Sequence, residues 1–356
     1  MKPGRKQPNA RLHRSLNATK ADMQRWFRAR AKRKTLSKVH DLAHVKSVGV
    51  HARPLAEELA LRKGFSKASA ERIGILAEAA GNVHDIVRRA TERKPHGPKG
   101  ARTILALRRR YPRAFGEFNQ KELEILADAT RVHETEFAEF NKAIKNFSPR
   151  KKIVARSVHI ADKLFEASGY RVLERRAFFV GKERLEKDLA YLKNIYGEKA
   201  PLYADAMESC MRLRAINVLS DYPKEIQPIA KPLHAVQEKF YYSTLKYLGL
   251  NERQLVQEME KINFPKFDKL GAKVKKEVAR AASDNRINAI SQDAANSATE
   301  LVMHFSKAAS PDAALESWQP KGNQAKEWLQ GMKGARVGGE TYLKNLQRQI
   351  HRALSK

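Results

Sequence analysis

Gly81-Asn82-Val83-His84-Asp85-Ile86-Val87 sets an imidazole and a carboxylate side by side in an otherwise apolar helical run. Upstream, Ile73, Leu76, Ala77 and Ala80 recur at three and four residues. Val83, His84 and Val87 continue that stripe, so His84 stands on the face that packs inward. Asp85 points about 100° away, at the stripe's margin. Each group costs several kcal/mol if buried unpaired, so partners are expected from neighbouring elements. Ser69 is the expected N-cap of this helix.

The neighbours are helices too, and they carry such partners. A helix over residues 36–61 has the stripe His44, Val48, Ala52, Leu55, Ala56 and Leu59, with His51 seven residues after His44 on nearly the same face. One over 120–145 carries Leu126, Ala129, His133, Phe137, Phe140 and Ile144, and one over 150–168 carries Val154, Val158, Ala161, Asp162 and Phe165. A single histidine on an apolar face reads as a hydrogen-bonded core residue. His44, His84, His133 and Asp162, each replacing a hydrophobe on a different helix, read as one converging site.

The periodicity stays helical to the C-terminal end, and no stretch reads as strand or internal repeat, so the fold class is all-α. The expected organisation is a basic, partly disordered extension over residues 1–40, the His/Asp helical domain over 41–180, further helices over 181–310 and a polar, basic tail over 311–356. The chain of 356 residues is long enough to bury a core without disulfides. Its single cysteine, Cys210, allows no internal disulfide and points to a reducing, cytoplasmic setting. No apolar run reaches the length of a membrane span, and no apolar segment follows the basic N-terminus as a secretory signal requires. Nothing in the sequence fixes an oligomeric state.

A net charge of +31 predicts polyanionic company, nucleotide or nucleic acid. It is densest in residues 1–40, where Asp22 is the one acid. Residues 1–18, with Pro3, Gly4, Pro8 and Asn9, read as disordered, and residues 21–34 as a basic helix. Arg25, Arg28, Arg30, Lys32, Arg33 and Lys34 of that helix are candidates for contacts to phosphates, and Trp26 and Phe27 lie at its apolar edge, where an aromatic can stack on a base. The acid-poor N-terminus is also compatible with an organelle-targeting segment.

The site residues resemble the HD-domain superfamily of metal-dependent phosphohydrolases, whose pattern is a His, a His-Asp pair and a later Asp, each on a different helix. His44 with Val48, Leu55 and Ala56 fits the first element, His84-Asp85 the pair, and Asp162 within Ala161-Asp162-Lys163-Leu164 the last. The resemblance covers residues of about 40–180 and implies an HD-domain-like helical bundle followed by further helices. The spacing from His44 to His84 is longer than usual in the family, and His51 gives a more ordinary one, so the first ligand is either. Some members add a His in a His-Gly-x-x-Gly-Ala context and another on the next helix; His96-Gly97-Pro98-Lys99-Gly100-Ala101 and His133 look like these. Here Glu134 follows His133 where some two-metal members have a second histidine, and Ile86-Val87-Arg88-Arg89 lacks the Glu-Asp of the superfamily's alarmone hydrolases.

What the resemblance implies is hydrolysis of a phosphomono- or phosphodiester, on a nucleotide or a nucleic acid, by a metal-activated water. Asp85 and Lys163 are the expected catalytic groups. One or two divalent ions (Mn, Fe, Co, Ni or Mg) would be held by imidazole and carboxylate, the first by His44 or His51 with His84, Asp85 and Asp162, the second through His96 and His133. Arg88, Arg171 and Arg175 are expected to meet the substrate phosphate. The competing expectation is a non-catalytic helical protein that binds RNA or DNA through its basic arms on a degenerate HD-like scaffold.

Overall fold

The computed structural model of the protein describes residues 9–32, 40–88, 95–110, 112–116, 118–281, 283–336 and 340–354. Every regular element among them is helical. The chain forms two compact units, Met1–Glu166 with Val337–Lys356, and Ala167–Arg336.

The first unit holds α1 (Ala10–Lys32), α2 (Leu42–Arg62), α3 (Lys67–Val83), α4 (Gly97–Arg110), the short α5 (Pro112–Phe115), α6 (Gln120–Val132), α7 (Phe137–Ala143) and α8 (Pro149–Ile160). A π-helical turn, Ala161–Phe165, extends α8. The second unit holds α9 (Gly169–Phe178), α10 (Leu192–Tyr196), α11 (Ala200–Met211), α12 (Gln227–Leu248), α13 (Glu252–Lys261), α14 (Phe267–Arg280), α15 (Ser283–Asn288), α16 (Gln292–Lys307), α17 (Pro311–Ser317) and α18 (Asn323–Gly334). The last helix, α19 (Glu340–Leu354), belongs to the first unit and meets α2, where His351 Nδ1 lies 3.1 Å from Glu58 Oε2.

Two antiparallel helix pairs organise the first unit. α2 and α3 touch backbone to backbone: a Cβ placed on Gly81 would lie 2.6 Å from the Gly49 Cα, and farther along Gly74 abuts the Glu57 side chain. The start of α2 therefore lies beside the end of α3. α4 and α6 repeat the arrangement, with Gly97 so close that an added Cβ would sit 2.5 Å from the Arg131 carbonyl oxygen. α8 packs against α2, α3 and α6 and closes the bundle.

Several expectations change. Residues 10–18 are not disordered but open α1, because Leu12 and Leu16, with Met23 beyond them, form an apolar stripe that the basic composition hides. The N-cap of α3 is Ser66, which accepts from the Ser69 amide at 3.3 Å; Ser69 itself lies in the first turn. α3 ends at Val83, so His84-Asp85 stands at the helix terminus and not inside the run. The boundary between units falls at Glu166/Ala167 rather than near 180, and within the polar, basic segment Trp328 and Met332 of α18 and Leu346, Ile350 and Leu354 of α19 are buried.

The second unit has its own core, around Leu189, Met207, Tyr241, Leu255, Met259 and Phe264. Two ion pairs run through it, Arg176 with Asp205 at 2.8 Å and Arg214 with Glu252 at 2.9 Å. Cys210 is buried there. No helix among the described residues is long and apolar enough to cross a membrane.

The Gly49/Gly81 contact makes a testable demand. Gly81→Ala must push α2 and α3 apart, and overpacking of this kind costs about 1–3 kcal/mol. Thermal denaturation should show Tm lower by roughly 2–12 °C; an unchanged Tm would mean that the helices do not pack this closely.

Candidate metal centre

The antiparallel pairs bring histidines together at helix ends. His44 is the third residue of α2, where the N-cap Asp41 carboxylate accepts from the His44 backbone amide at 3.0 Å. His84 is the C-cap of α3. Their Nε2 atoms face one another at 3.2 Å. In the second pair His96 precedes α4 and His133 is the C-cap of α6, with Nε2 atoms 3.1 Å apart.

Each ring is turned so that Nδ1 is spent and Nε2 points inward. His84 Nδ1 donates to the Gly81 carbonyl and His133 Nδ1 to the Thr130 carbonyl, both at 2.7 Å and both three residues back. These carbonyls are among the last of their helices, which have no intrahelical partner, so the imidazole caps the helix and the helix fixes the tautomer. His44 Nδ1 donates to Glu166 Oε2 at 3.1 Å, and His96 Nδ1 lies 2.8 Å from Glu134 Oε2. Glu166 also accepts from Ser47 Oγ, and Glu134 from the Gly97 amide at 2.7 Å.

Asp85 joins the two pairs. Its Oδ1 lies 2.7 Å from His96 Nε2 and 3.4 Å from His133 Nε2; its Oδ2 lies 3.5 Å from His44 Nε2 and 3.6 Å from His84 Nε2. Asp162, in the π-helical turn after α8, adds Oδ1 at 3.4 Å from His44 Nε2 and 4.0 Å from His84 Nε2. His40 approaches Asp85 Oδ2 with Nδ1 at 3.2 Å. Three overlapping sets, His40/His44/Asp85, His44/His84/Asp162 and His84/Asp85/His133, each place their ligand atoms within 4.8 Å of one another.

The electrostatics fit a cation. Burial pushes His84 down to about 4, so at neutral pH its Nε2 is a bare lone pair facing another imidazole nitrogen. Burial would raise the Asp85 carboxyl, but His84, Arg88 and the hydrogen bonds of His133 and His40 outweigh it and hold the group well below the ordinary carboxylate value. Asp162 is likewise kept ionised, with His44, His84 and Lys163 outweighing burial. Buried Asp85 Oδ2 is ringed by three imidazoles, with nitrogens of His40, His44 and His84 at 3.2, 3.5 and 3.6 Å. Burial would lower His96, yet its bonds to Asp85 and Glu134 raise it to about 9, so a proton stands between His96 and Asp85 where a bound cation would displace it. The negative ends of α3 and α6 point the same way. These buried His and Asp groups can hold a metal ion.

Of the expected ligands, His44, His84, Asp85, His96, His133 and Asp162 are brought together. His51 is not: its Nδ1 donates to the Ser47 carbonyl at 2.8 Å and its ring stacks on Phe165 at 4.3 Å, so of the two only His44 stands in the cluster. Lys163, half-buried, follows Asp162 and helps keep it ionised. Arg88, 33 % exposed, places Nη1 3.7 Å from Asp85 Oδ2. Arg171 and Arg175 sit on α9 of the second unit, where Arg171 pairs with Glu174. Arg25 pairs with Asp22 on α1 and Arg28 is exposed, whereas Arg33 and Lys34 and the side chains of Arg30 and Lys32 lie outside the described residues. Trp26 is not a free stacking platform, since its Nε1 donates to the Ile86 carbonyl at 3.1 Å.

His40, Glu166 and His159 were not anticipated. His159 donates from Nδ1 to the His133 carbonyl at 2.8 Å and stacks on Phe140 at 4.0 Å, with burial pushing it down to about 3. Glu166 stands four residues after Asp162, about one helical turn away, and that spacing was the available signal, whereas His40 lies before the N-cap of α2, where no helical period marks it. Compared with known proteins, the chain matches no family model, no curated protein and no solved structure.

Glu166→Gln keeps the shape of the group behind His44 but removes its charge. Outer-shell changes of this type cost 10–100-fold in metal affinity, and about 10-fold is expected here because the amide oxygen still accepts. Calorimetric titration with Mn(II) checks it; equal affinity in wild type and variant would remove Glu166 from the site.

Proposed function

We propose that the first unit is an HD-type metal-dependent phosphohydrolase acting on the phosphate of a nucleotide or nucleic acid. The observation that carries this reading is the buried Asp85 carboxylate, with one oxygen turned to each of two histidine pairs. Such a donor set suits two divalent ions, one with His44, His84, Asp85 Oδ2 and Asp162, the other with His96, His133 and Asp85 Oδ1. Imidazole and carboxylate without thiolate favour Mn, Fe, Co, Ni or Mg. Divalent ions in a site of this kind supply Lewis acidity toward a phosphoryl oxygen and a water nucleophile at neutral pH.

The chain's own groups supply the rest. Among the groups that turn a ligand atom to the centre, His40 and Asp162, at 17 % and 20 % side-chain exposure, are the most open, so substrate approaches from their side. Lys163, beside Asp162, is the expected catalytic cation, and Arg88 reaches Asp85 Oδ2 from the surface; both would balance charge on the equatorial oxygens of the transferring phosphoryl group. Neutral His40, held low by burial and by Arg88, offers a further lone pair to the first ion. The completeness of the donor set argues against a degenerate, merely scaffolding role.

Elemental analysis beside an activity screen on phosphomonoesters, cyclic nucleotides and short RNA tests the reading. Wild type should carry two ions per chain, His133→Ala one, and His84→Ala/Asp85→Ala none. In the double variant turnover should fall by more than the roughly 100-fold of outer-shell changes. Equal metal content in wild type and double variant would overturn the centre, and RNA binding without turnover would favour the non-catalytic alternative.

A further inference from the structure

The turn formed by Ile86, Val87 and Arg88 is held from two sides. Trp26 of α1 donates to the Ile86 carbonyl, and the first turn of α4 lies against it, a Cβ on Gly100 coming within 3.7 Å of both the His84 carbonyl oxygen and Val87 Cγ2. Two helices thus reach the segment from which Arg88 touches the metal centre. Both are nearly devoid of acid: α1 has only Asp22, buried and paired with Arg25, and α4 has none. α8 of the same unit also lacks acid but lies within the bundle, against α2, α3 and α6. α14, for comparison, places Asp268 and Glu277 among its lysines.

On α4 the solvent face carries Lys99, Arg102, Leu105, Ala106 and Arg109, a single stripe at three- and four-residue spacing, while Ala101, Ile104 and Leu107 face the core. From Lys99 to Arg109 this stripe is about 15 Å long at 1.5 Å per residue. A nucleic-acid strand in a duplex presents a phosphate every 3.4 Å of axis, so about four phosphates match that length, several times the reach of a single phosphoester. Exposed Leu105 adds an apolar surface between the cations.

We infer that the α4 stripe, with Arg88, binds the backbone of a polynucleotide beside the metal centre, so that the substrate of the phosphohydrolase is a nucleic-acid strand and not a free nucleotide. The inference rests on the phosphohydrolase reading for the fate of the strand, but not for its binding.

The test uses the full chain with its ions and a fluorescein-labelled single-stranded RNA of about 12 nucleotides, within the site sizes such surfaces cover. Fluorescence anisotropy over a salt series is expected to show binding by wild type. In Arg102→Glu/Arg109→Glu the Kd should rise at least about 10-fold near physiological salt, and the slope of log K against log salt should flatten by about 1.4, for two lost contacts. Arg102→Gln/Arg109→Gln, which keeps the face polar, should move both readouts in the same direction, and unchanged metal content and circular dichroism show that the fold persists. The same Kd and slope in wild type and both variants, or no binding by wild type, would overturn the inference. Loss of the phosphohydrolase reading looks different: wild type binds RNA through this stripe and hydrolyses nothing in the screen.

Discussion

The first unit depends on one buried carboxylate. Asp85 is fully enclosed, and taking an ionised carboxylate out of water costs several kcal/mol unless the surroundings answer its charge. They do so from both sides, with His44, His84 and His40 around Oδ2 and His96 and His133 around Oδ1. No single helix can place five imidazoles around two oxygens. Two antiparallel pairs can, because each sets the beginning of one helix against the end of another.

That requirement explains features that look unrelated in the sequence. Gly49 and Gly81 let α2 and α3 touch, and Gly97 does the same for α4 against α6, so the ring nitrogens of each pair come within about 3 Å rather than being held apart by side chains. His84 and His133 both sit at C-caps, where the carbonyl three residues back orients the ring at no cost to the helix ladder. Where no helix C-terminus is available the task passes to a carboxylate, Glu166 for His44 and Glu134 for His96. His159 then anchors the backbone of His133, packed under Phe140. Each inward Nε2 is thus fixed by a group that does not face the centre.

Helical periodicity made much of this legible. The inward positions of His44, His84, His133 and Asp162 follow from apolar stripes alone, because a buried helix face leaves one side chain in three or four to face the interior. What was not legible had specific causes. His40 precedes the N-cap of α2, where no period exists to assign it a face. Glu166 and Glu134 act on rings and not at the centre, and which ring a carboxylate reaches depends on how helices cross. Arg171 and Arg175 are close to Asp162 in sequence, but the chain passes into the second unit after Glu166. In α1 the lysines and arginines dominated the composition, while Leu12, Leu16 and Met23 are too few to alter it yet enough to bury one face. Choosing between His44 and His51 required knowing that Ser47 occupies the His51 ring.

The charge balance links the centre to the rest of the surface. Asp85, Asp162, Glu134 and Glu166 outnumber the cations beside them, protonated His96, Arg88 and Lys163, so without ions the cluster keeps a small negative balance toward a phosphate. Two divalent ions would reverse that sign locally, since a bound cation is often the largest charge in a site. Screening confines the reversal to about 8 Å at physiological ionic strength. Beyond that distance an approaching anion responds to the surface, and there the chain's +31 is decisive. A basic shell around an acidic core draws a phosphate inward only when the core is loaded, so on this reading the excess of lysine and arginine and the buried carboxylates are two parts of one electrostatic arrangement.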